Sequence, residues 1–257
     1  MEPQAKRLFA HLAVVAAGLA AMVLSIFYGL PMCNPDYQHR PGVASSGAGG
    51  ARGAPARAPD TVMRSVGVNS ERIAVGQALF NERCIACHGK EGSGKIGIGP
   101  RLNSKTFLAA ASDAFLIRTI TKGRAGTTMV PWGAQLDAGK IKAIVGYIRS
   151  WQQVAPAKLD ERPVAGNAAA GRDTFRGICA ACHGRTGAGY METANGTGIG
   201  RKAFLSAVTN GYLRYLVNHG KSGTKMKPFA KGSKVAVANL GKQEIENVIA
   251  YLRQSAW

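Results

Sequence analysis

Two short stretches hold most of the reactive side chains of this 257-residue chain, which has five cysteines and five histidines. They read Cys84-Ile-Ala-Cys87-His88 and Cys179-Ala-Ala-Cys182-His183. Two cysteines three apart on a helical turn face the same way, so their sulfurs can bond the two vinyl groups on one side of a porphyrin. The histidine that follows lies over the ring and can bind its iron. Cys-x-x-Cys-His is the attachment pattern of c-type haem, and two copies imply two covalently attached haem c groups. A structural disulfide, a zinc site or a redox dithiol would also use paired cysteines. A histidine directly after the second cysteine in both copies argues against all three.

A histidine fills one axial position of an iron, and a second ligand must come from elsewhere. Downstream lie "GTTMVPWG", with Met129, and "GTKMKPFAKG", with Met226. Both read Gly-Thr-x-Met-x-Pro followed by an aromatic residue, 41 and 43 residues past the respective histidine. A lone methionine is usually core filler. Two in matching loops at matching distance are candidates for the sixth ligand. The expected metal ligands are therefore His88 and Met129 in one copy, His183 and Met226 in the other. Met191 stands too close to His183 to cross the ring. His219 is a rival in the second copy, but Lys122 is its counterpart in the first, which marks it as a helix-end residue.

These motifs sit in an internal repeat. Gly76, Phe80 and Cys84 match Gly171, Phe175 and Cys179 at identical spacing. Each copy closes on an amphipathic stretch, "IKAIVGYIRSW" and "IENVIAYLRQSAW", with Tyr147 matching Tyr251. Apolar residues at helical spacing (Ile141, Ile144, Val145, Ile148) predict a closing helix. Gly76 and Gly171 would let that helix approach the opening one, through Tyr147 or Tyr251. "SDAFLIRTITKG" and "TNGYLRYLVNHG" predict a middle helix ending at glycine. Two mostly helical domains follow, at 69–153 and 154–257.

The N-terminal part reads differently. Lys6 and Arg7 precede 19 uncharged residues, Leu12 to Leu30, which as a helix span about 28 Å, close to the hydrocarbon thickness of a bilayer. The run exceeds a signal-peptide core and lacks small residues at its end, so residues 1–39 are expected to be an uncleaved transmembrane anchor in a lipid bilayer. The positive charge places the short N-terminal side in the cytoplasm and everything after Pro31 outside it. His11 reads as an interfacial side chain. Cys33, after "LPM", lacks a lipoprotein context and reads as an unmodified or partner-contacting thiol. Residues 40–68, rich in Gly, Ala, Pro and Ser, are expected to be a flexible linker spanning roughly 30 Å, or a strap lying along a partner.

Lys and Arg outnumber Asp and Glu by 33 to 14. The excess is spread along the chain without any run of five consecutive basic residues, which speaks for acidic partners or anionic lipid and against nucleic acid. Lys221, Lys225, Lys227, Lys231 and Lys234 cluster around Met226.

From about Ser70 to Trp257 the chain resembles the class I cytochromes c, specifically membrane-anchored two-haem members. The resemblance implies a mostly α fold: an N-terminal transmembrane helix, a linker and two tandem cytochrome c domains. In that family a proline after the haem motif offers its carbonyl to the proximal histidine, and Pro100 in "GIGPRL" fits. The second copy reads "GIGRKAF", with Arg201 in place of proline and six more residues in the intervening loop, leaving the partner of His183 open. Iron with both axial positions filled changes charge by one electron with little rearrangement, so electron transfer is the expected function. The resemblance implies a subunit, not itself an enzyme, in the bacterial inner membrane with its haem domains in the periplasm. It would carry electrons between a quinol-oxidising or oxidase complex and a periplasmic or membrane-bound partner of a respiratory or photosynthetic chain. The alternative is a two-haem redox enzyme, peroxidase-like or thiosulfate-oxidising, with one iron open or differently ligated.

Overall fold

The computed structural model describes residues 62–257. The expected anchor, Leu12 to Leu30, and residues 40–61 of the expected linker lie outside them. No helix among the described residues is long and apolar enough to cross a membrane.

Each lobe uses the same helices in the same order. The first has α1 (Ser70–Arg83), α2 (Ile85–His88), α3 (Lys105–Ala110), α4 (Asp113–Lys122) and α5 (Ala138–Ser150). The second has α6 (Ala168–Thr174), α7 (Ala180–His183), α8 (Lys202–Leu205), α9 (Asn210–His219) and α10 (Lys242–Gln254). Polar side chains set most starts: Asn69, Ser104, Ser112, Asp137, Asn167 and Thr209 each accept a backbone N–H of the first turn, satisfying groups the helix itself leaves free. The predicted middle helices are α4 and α9, ending at Gly123 and Gly220 with φ of 62° and 67°.

The opening and closing helices cross at glycine. A Cβ on Gly76 would overlap the Ala143 carbonyl and lie 2.8 Å from Tyr147 Cβ. One on Gly171 would overlap the Asn247 carbonyl and lie 2.9 Å from Val248 N, so in both lobes the closest approach falls four residues before the tyrosine, at Ala143 and Asn247. Below the crossing, Phe80 packs edge-on against Tyr147 and Trp151, with centroids 5.7 and 5.2 Å away. Phe175 meets Tyr251 at 5.3 Å. Both phenylalanines are about 1% exposed.

The two lobes share one buried apolar cluster and pack reciprocally. Arg124 of the first lobe lies over the Phe204 ring, 4.9 Å from its centroid. Lys221 of the second lies over Phe107 at 4.7 Å. Residues 124 and 221, and 107 and 204, are equivalent with an offset of 97. The equivalent pair Phe115 and Tyr212 touch each other at 5.6 Å. A surface that meets its own equivalent in this way is isologous, so the repeat behaves as a local two-fold dimer within one chain.

The end of the expected linker is not a free coil. Val62 and Val66 are 6% and 9% exposed. The amides of Ser65 and Val66 both donate to Asp113 Oδ2 at 2.7 Å, and Arg64 donates to the Val154 and Leu108 carbonyls at 2.6 and 3.1 Å. Residues 62–68 thus form a strap on the first lobe. Their glycine and alanine surroundings gave no hydrophobic period to reveal it. The other oxygen of Asp113 accepts from Arg149 Nε at 2.8 Å, and the rest of that guanidinium donates to the Leu108 and Ala111 carbonyls. In the second lobe the equivalent arginine is Arg253, which donates to Asn210 Oδ1 and to the Leu205 and Val208 carbonyls, while Arg214, paired with Glu246, donates to the carbonyls of Asp160, Arg162 and Pro163. Removing one member of a buried ion pair leaves an uncompensated charge. Asp113→Ala should therefore destabilise the holoprotein by roughly 3–5 kcal/mol, read as a lower denaturant midpoint.

Candidate haem sites

Each Cys-x-x-Cys-His motif ends the helical run that begins with the opening helix. In the first lobe Cys84 is a kink between α1 and α2, with φ −115° and ψ −27°. In the second, a π-turn from Phe175 to Cys179 joins α6 to α7. Both histidines are then aimed by a backbone carbonyl. The Nδ1–H of His88 donates to Pro100 O at 3.0 Å, and that of His183 to Thr197 O at 2.8 Å. A carbonyl only accepts, so Nδ1 holds the proton and Nε2 keeps its lone pair for a metal. Burial holds both imidazoles below their ordinary range, against the pull of those hydrogen bonds, and Lys221 lowers both further.

Thr197 answers the question left by Arg201. The equivalent of Pro100 is Thr197, not Arg201. It stands 14 residues after its histidine against 12 for Pro100, so the loop is longer by two residues, not six. Gly99 and Gly196, one residue earlier in each lobe, lie against Cys87 and Cys182 in the same way. Arg201 is instead the equivalent of Ser104, the N-cap of α3. It is buried, stacked on Trp257 at 4.0 Å, with its Nη2 2.8 Å from Met191 Sδ. The signal was available: Lys105-x-Phe107 and Lys202-x-Phe204 have the same offset, 97, as Met129 and Met226.

The two methionine loops share one hydrogen-bond frame. The Arg124 amide donates to Met129 O at 2.8 Å, and that of Lys221 to Met226 O at 2.7 Å. The methionine amides donate to Thr127 Oγ1 and Thr224 Oγ1 at 3.2 and 3.1 Å. Trp132 and Phe229 return to Ile120 and Val217, both at 3.0 Å. Glycine ends the preceding helix for a double reason. Its φ is positive, and a Cβ on Gly123 or Gly220 would lie 2.7 Å from Pro131 N or Pro228 N of the loop.

Cys179, Cys182, His183 and Met226 line one cavity of about 410 Å³, within the usual range for cofactor sites, roughly 300–1,000 Å³. Phe175, Val217, Phe229, Val248 and Leu252 form an apolar part of its wall. This lining fits a largely apolar ring tied by two sulfurs and gripped along its axis. The rival ligands stand elsewhere: Met191 is 69% exposed, and His219 is exposed at the end of α9, stacked on Tyr215. Among the described residues no group of three or more His, Cys, Asp or Glu is placed to hold a metal, as a zinc site would require. Burial, with Cys87 and Cys182 adding to it, pushes the Cys84 and Cys179 thiols up to about 11.

One consequence can be measured. A Cβ on Gly196 would overlap the Cys182 carbonyl and sit 2.9 Å from His183 Nδ1. Gly196→Ala should displace the second motif and leave the first intact. Mass spectrometry of the denatured protein should then show a major species one haem lighter than the unmodified protein.

Residues 71–148 match the family described as cytochrome c oxidase, cbb3-type, subunit III, and residues 168–256 match that described as cytochrome c. A cbb3-type cytochrome c oxidase subunit FixP from Bradyrhizobium diazoefficiens is 44% identical over 78 residues, 30% of this chain and 27% of that protein. A subunit CcoP from Azospirillum sp. strain B510 is 30% identical over 181 residues, 61% of this chain and 58% of that one. A chain of the Kuenenia stuttgartiensis reducing HAO-like protein complex has a TM-score of 0.46 at 21% identity, over 76% of this chain and all of that one. The chain thus spans 27% and 58% of the length of these two curated relatives.

Proposed function

We propose that this chain, whose two lobes are cytochrome c domains homologous to those of FixP and CcoP subunits, is a membrane-anchored two-haem electron carrier. In this reading it is the cytochrome subunit of a membrane complex, of the cbb3-oxidase kind to which those relatives belong. The observation that carries it is the pair of equivalent methionine loops, each built on the same hydrogen bonds, in lobes whose imidazoles leave Nε2 free.

When bound, each haem supplies a one-electron iron couple. The residues do the rest. Cys84 and Cys87, and Cys179 and Cys182, would tie the ring by thioether bonds. His88 and His183, oriented by the Pro100 and Thr197 carbonyls, would bind the irons together with Met129 and Met226. An iron held by a histidine and a methionine would have no position open to a substrate, which suits one-electron exchange. The segment Leu12 to Leu30 holds the chain in the inner membrane, with the lobes on the periplasmic side.

The Met226 loop also supports contact with an acidic partner. Lys225, Lys227, Lys231 and Lys234 are exposed, and Val235 and Val237 beside them are 63% and 59% exposed. Lys221 does not belong to this surface, since it turns inward onto Phe107. Charge of this kind steers an acidic partner and is screened beyond about 8 Å near 0.15 M salt.

Carbon monoxide tests the ligation. The reduced unmodified protein should bind none, while Met129→Ala and Met226→Ala should each open one iron and bind one equivalent. Binding by the unmodified protein would favour the enzyme alternative, and variants that keep the ferric methionine–sulfur absorption would refute the ligand assignment. Stopped-flow oxidation by the acceptor should slow steeply as salt rises, and should lose most of that dependence when Lys225, Lys227 and Lys231 are changed to Glu.

A further inference from the structure

The cavity around His183 is not closed by its own lobe. The first-lobe segment from Ser93 to Arg101 contributes to its lining, and four basic residues are among those that line it: Lys95 and Arg101 from the first lobe, Lys221 and Lys225 from the second. No carboxylate lines it. Arg101 lies over the Met226 loop, where a Cβ on Gly223 would be 2.8 Å from its Nε. That Nε donates to the Asn103 carbonyl at 2.6 Å. Among the described residues neither Arg101 nor Lys221 has an acidic partner. Arg149 and Arg214, by contrast, are each paired with a carboxylate, and the buried Arg201 rests on the Trp257 ring.

Gathering unpaired cations on an apolar wall is costly unless an anion belongs there. Haem c brings one. Its vinyl-derived edge is tied to the cysteines, and two propionate carboxylates leave the opposite edge. We propose that Arg101, from the first lobe, and Lys221 hold the propionates of the second lobe's haem, so that one lobe completes the haem site of the other. This rests on the haem reading above. Pro100, whose carbonyl orients His88, and Arg101 are adjacent, so the two sites are joined through neighbouring residues. The second site is then incomplete without the first, and the lobes are not two independent carriers.

The ferric iron carries one more positive charge than the ferrous, so removing a nearby cation stabilises it and makes reduction harder. The test uses the full-length holoprotein in a Met129→His background, which lowers the first haem's potential and isolates the second haem's titration. Arg101→Gln should reduce the equilibrium constant for reducing the second haem by about tenfold, about 59 mV for a one-electron couple. Arg101→Glu should lower it further, and Arg101→Lys should stay within about twofold of the parent. Lys221→Gln gives a second reading at an independent position. Loss of the second haem in Arg101→Gln, cured by Arg101→Lys, would support the same assignment. An unchanged potential in Arg101→Gln and Lys221→Gln proteins that mass spectrometry shows to carry both haems would overturn it. So would an Arg101→Lys protein that falls as far as Arg101→Gln, since the role would then be one of shape. Haem loading of the unmodified protein is read separately: a chain without two haems sinks the underlying haem reading, whereas two haems with unmoved potentials sink only the propionate assignment.

Discussion

The close crossing of the opening and closing helices is the constraint on which both sites depend. It is possible only where a residue has no side chain, at Gly76 and Gly171. Each glycine stands eight residues, a little over two turns, before the first cysteine of its motif. Once the helices lock there, the phenylalanine four residues on is driven into the aromatic cluster of the closing helix. The end of the helical run, with its cysteines and histidine, then has one position relative to the core. The differing details at that end, a kink at Cys84 and a π-turn at Phe175–Cys179, show that the crossing and not local helix geometry sets the placement.

Two groups of interior charges are built in different ways. Asp113 with Arg149, and Arg214 with Glu246, are pairs whose remaining groups meet backbone: Asp113 accepts from the strap at 62–68, Arg149 donates to the Leu108 and Ala111 carbonyls, and Arg214 donates to the segment at 160–163. These satisfy the condition under which a buried ion pair is tolerated, full pairing and full hydrogen bonding, and they fasten irregular segments that lack an apolar period. The seam between the lobes is built the other way. Arg124 and Lys221 rest on aromatic rings of the opposite lobe, with no carboxylate beside them among the described residues. Cation–π contact compensates only part of the cost of desolvation, which makes the seam electropositive and ties its charge to whatever occupies the neighbouring cavities.

The offset between equivalent residues records where the two lobes diverge. It is 95 at the cysteines, 97 from the carbonyl that holds the histidine through the methionine loop, and 104 at the closing helix. The added length therefore enters between motif and carbonyl, and again between methionine loop and closing helix, leaving the segment from α3 or α8 to the methionine in register. That segment makes the contacts between lobes. An insertion there would break the reciprocal pairing of Arg124 and Phe204 with Lys221 and Phe107, whereas insertions outside it only lengthen surface loops.

By itself the sequence determined what depends on short spacing: the two Cys-x-x-Cys-His motifs, the matching methionine loops, the middle and closing helices with their caps, and the need for glycine at 76 and 171. Each is set by neighbours within a few residues, so residue type and interval suffice. What the tertiary structure decided has no such signature. The partner of His183 is a backbone carbonyl, which any residue supplies, and matching the wrong Gly-Ile-Gly pointed to Arg201 instead of Thr197. Residues 62–68 are held by a carboxylate almost fifty positions away. Lys221 and Arg101 read as two more basic residues in a basic chain, and only the packing of one lobe on the other turns them toward the second cavity. Burial and charge environment are properties of distant segments brought together, and a linear pattern carries them only when the repeat is aligned on its structural register.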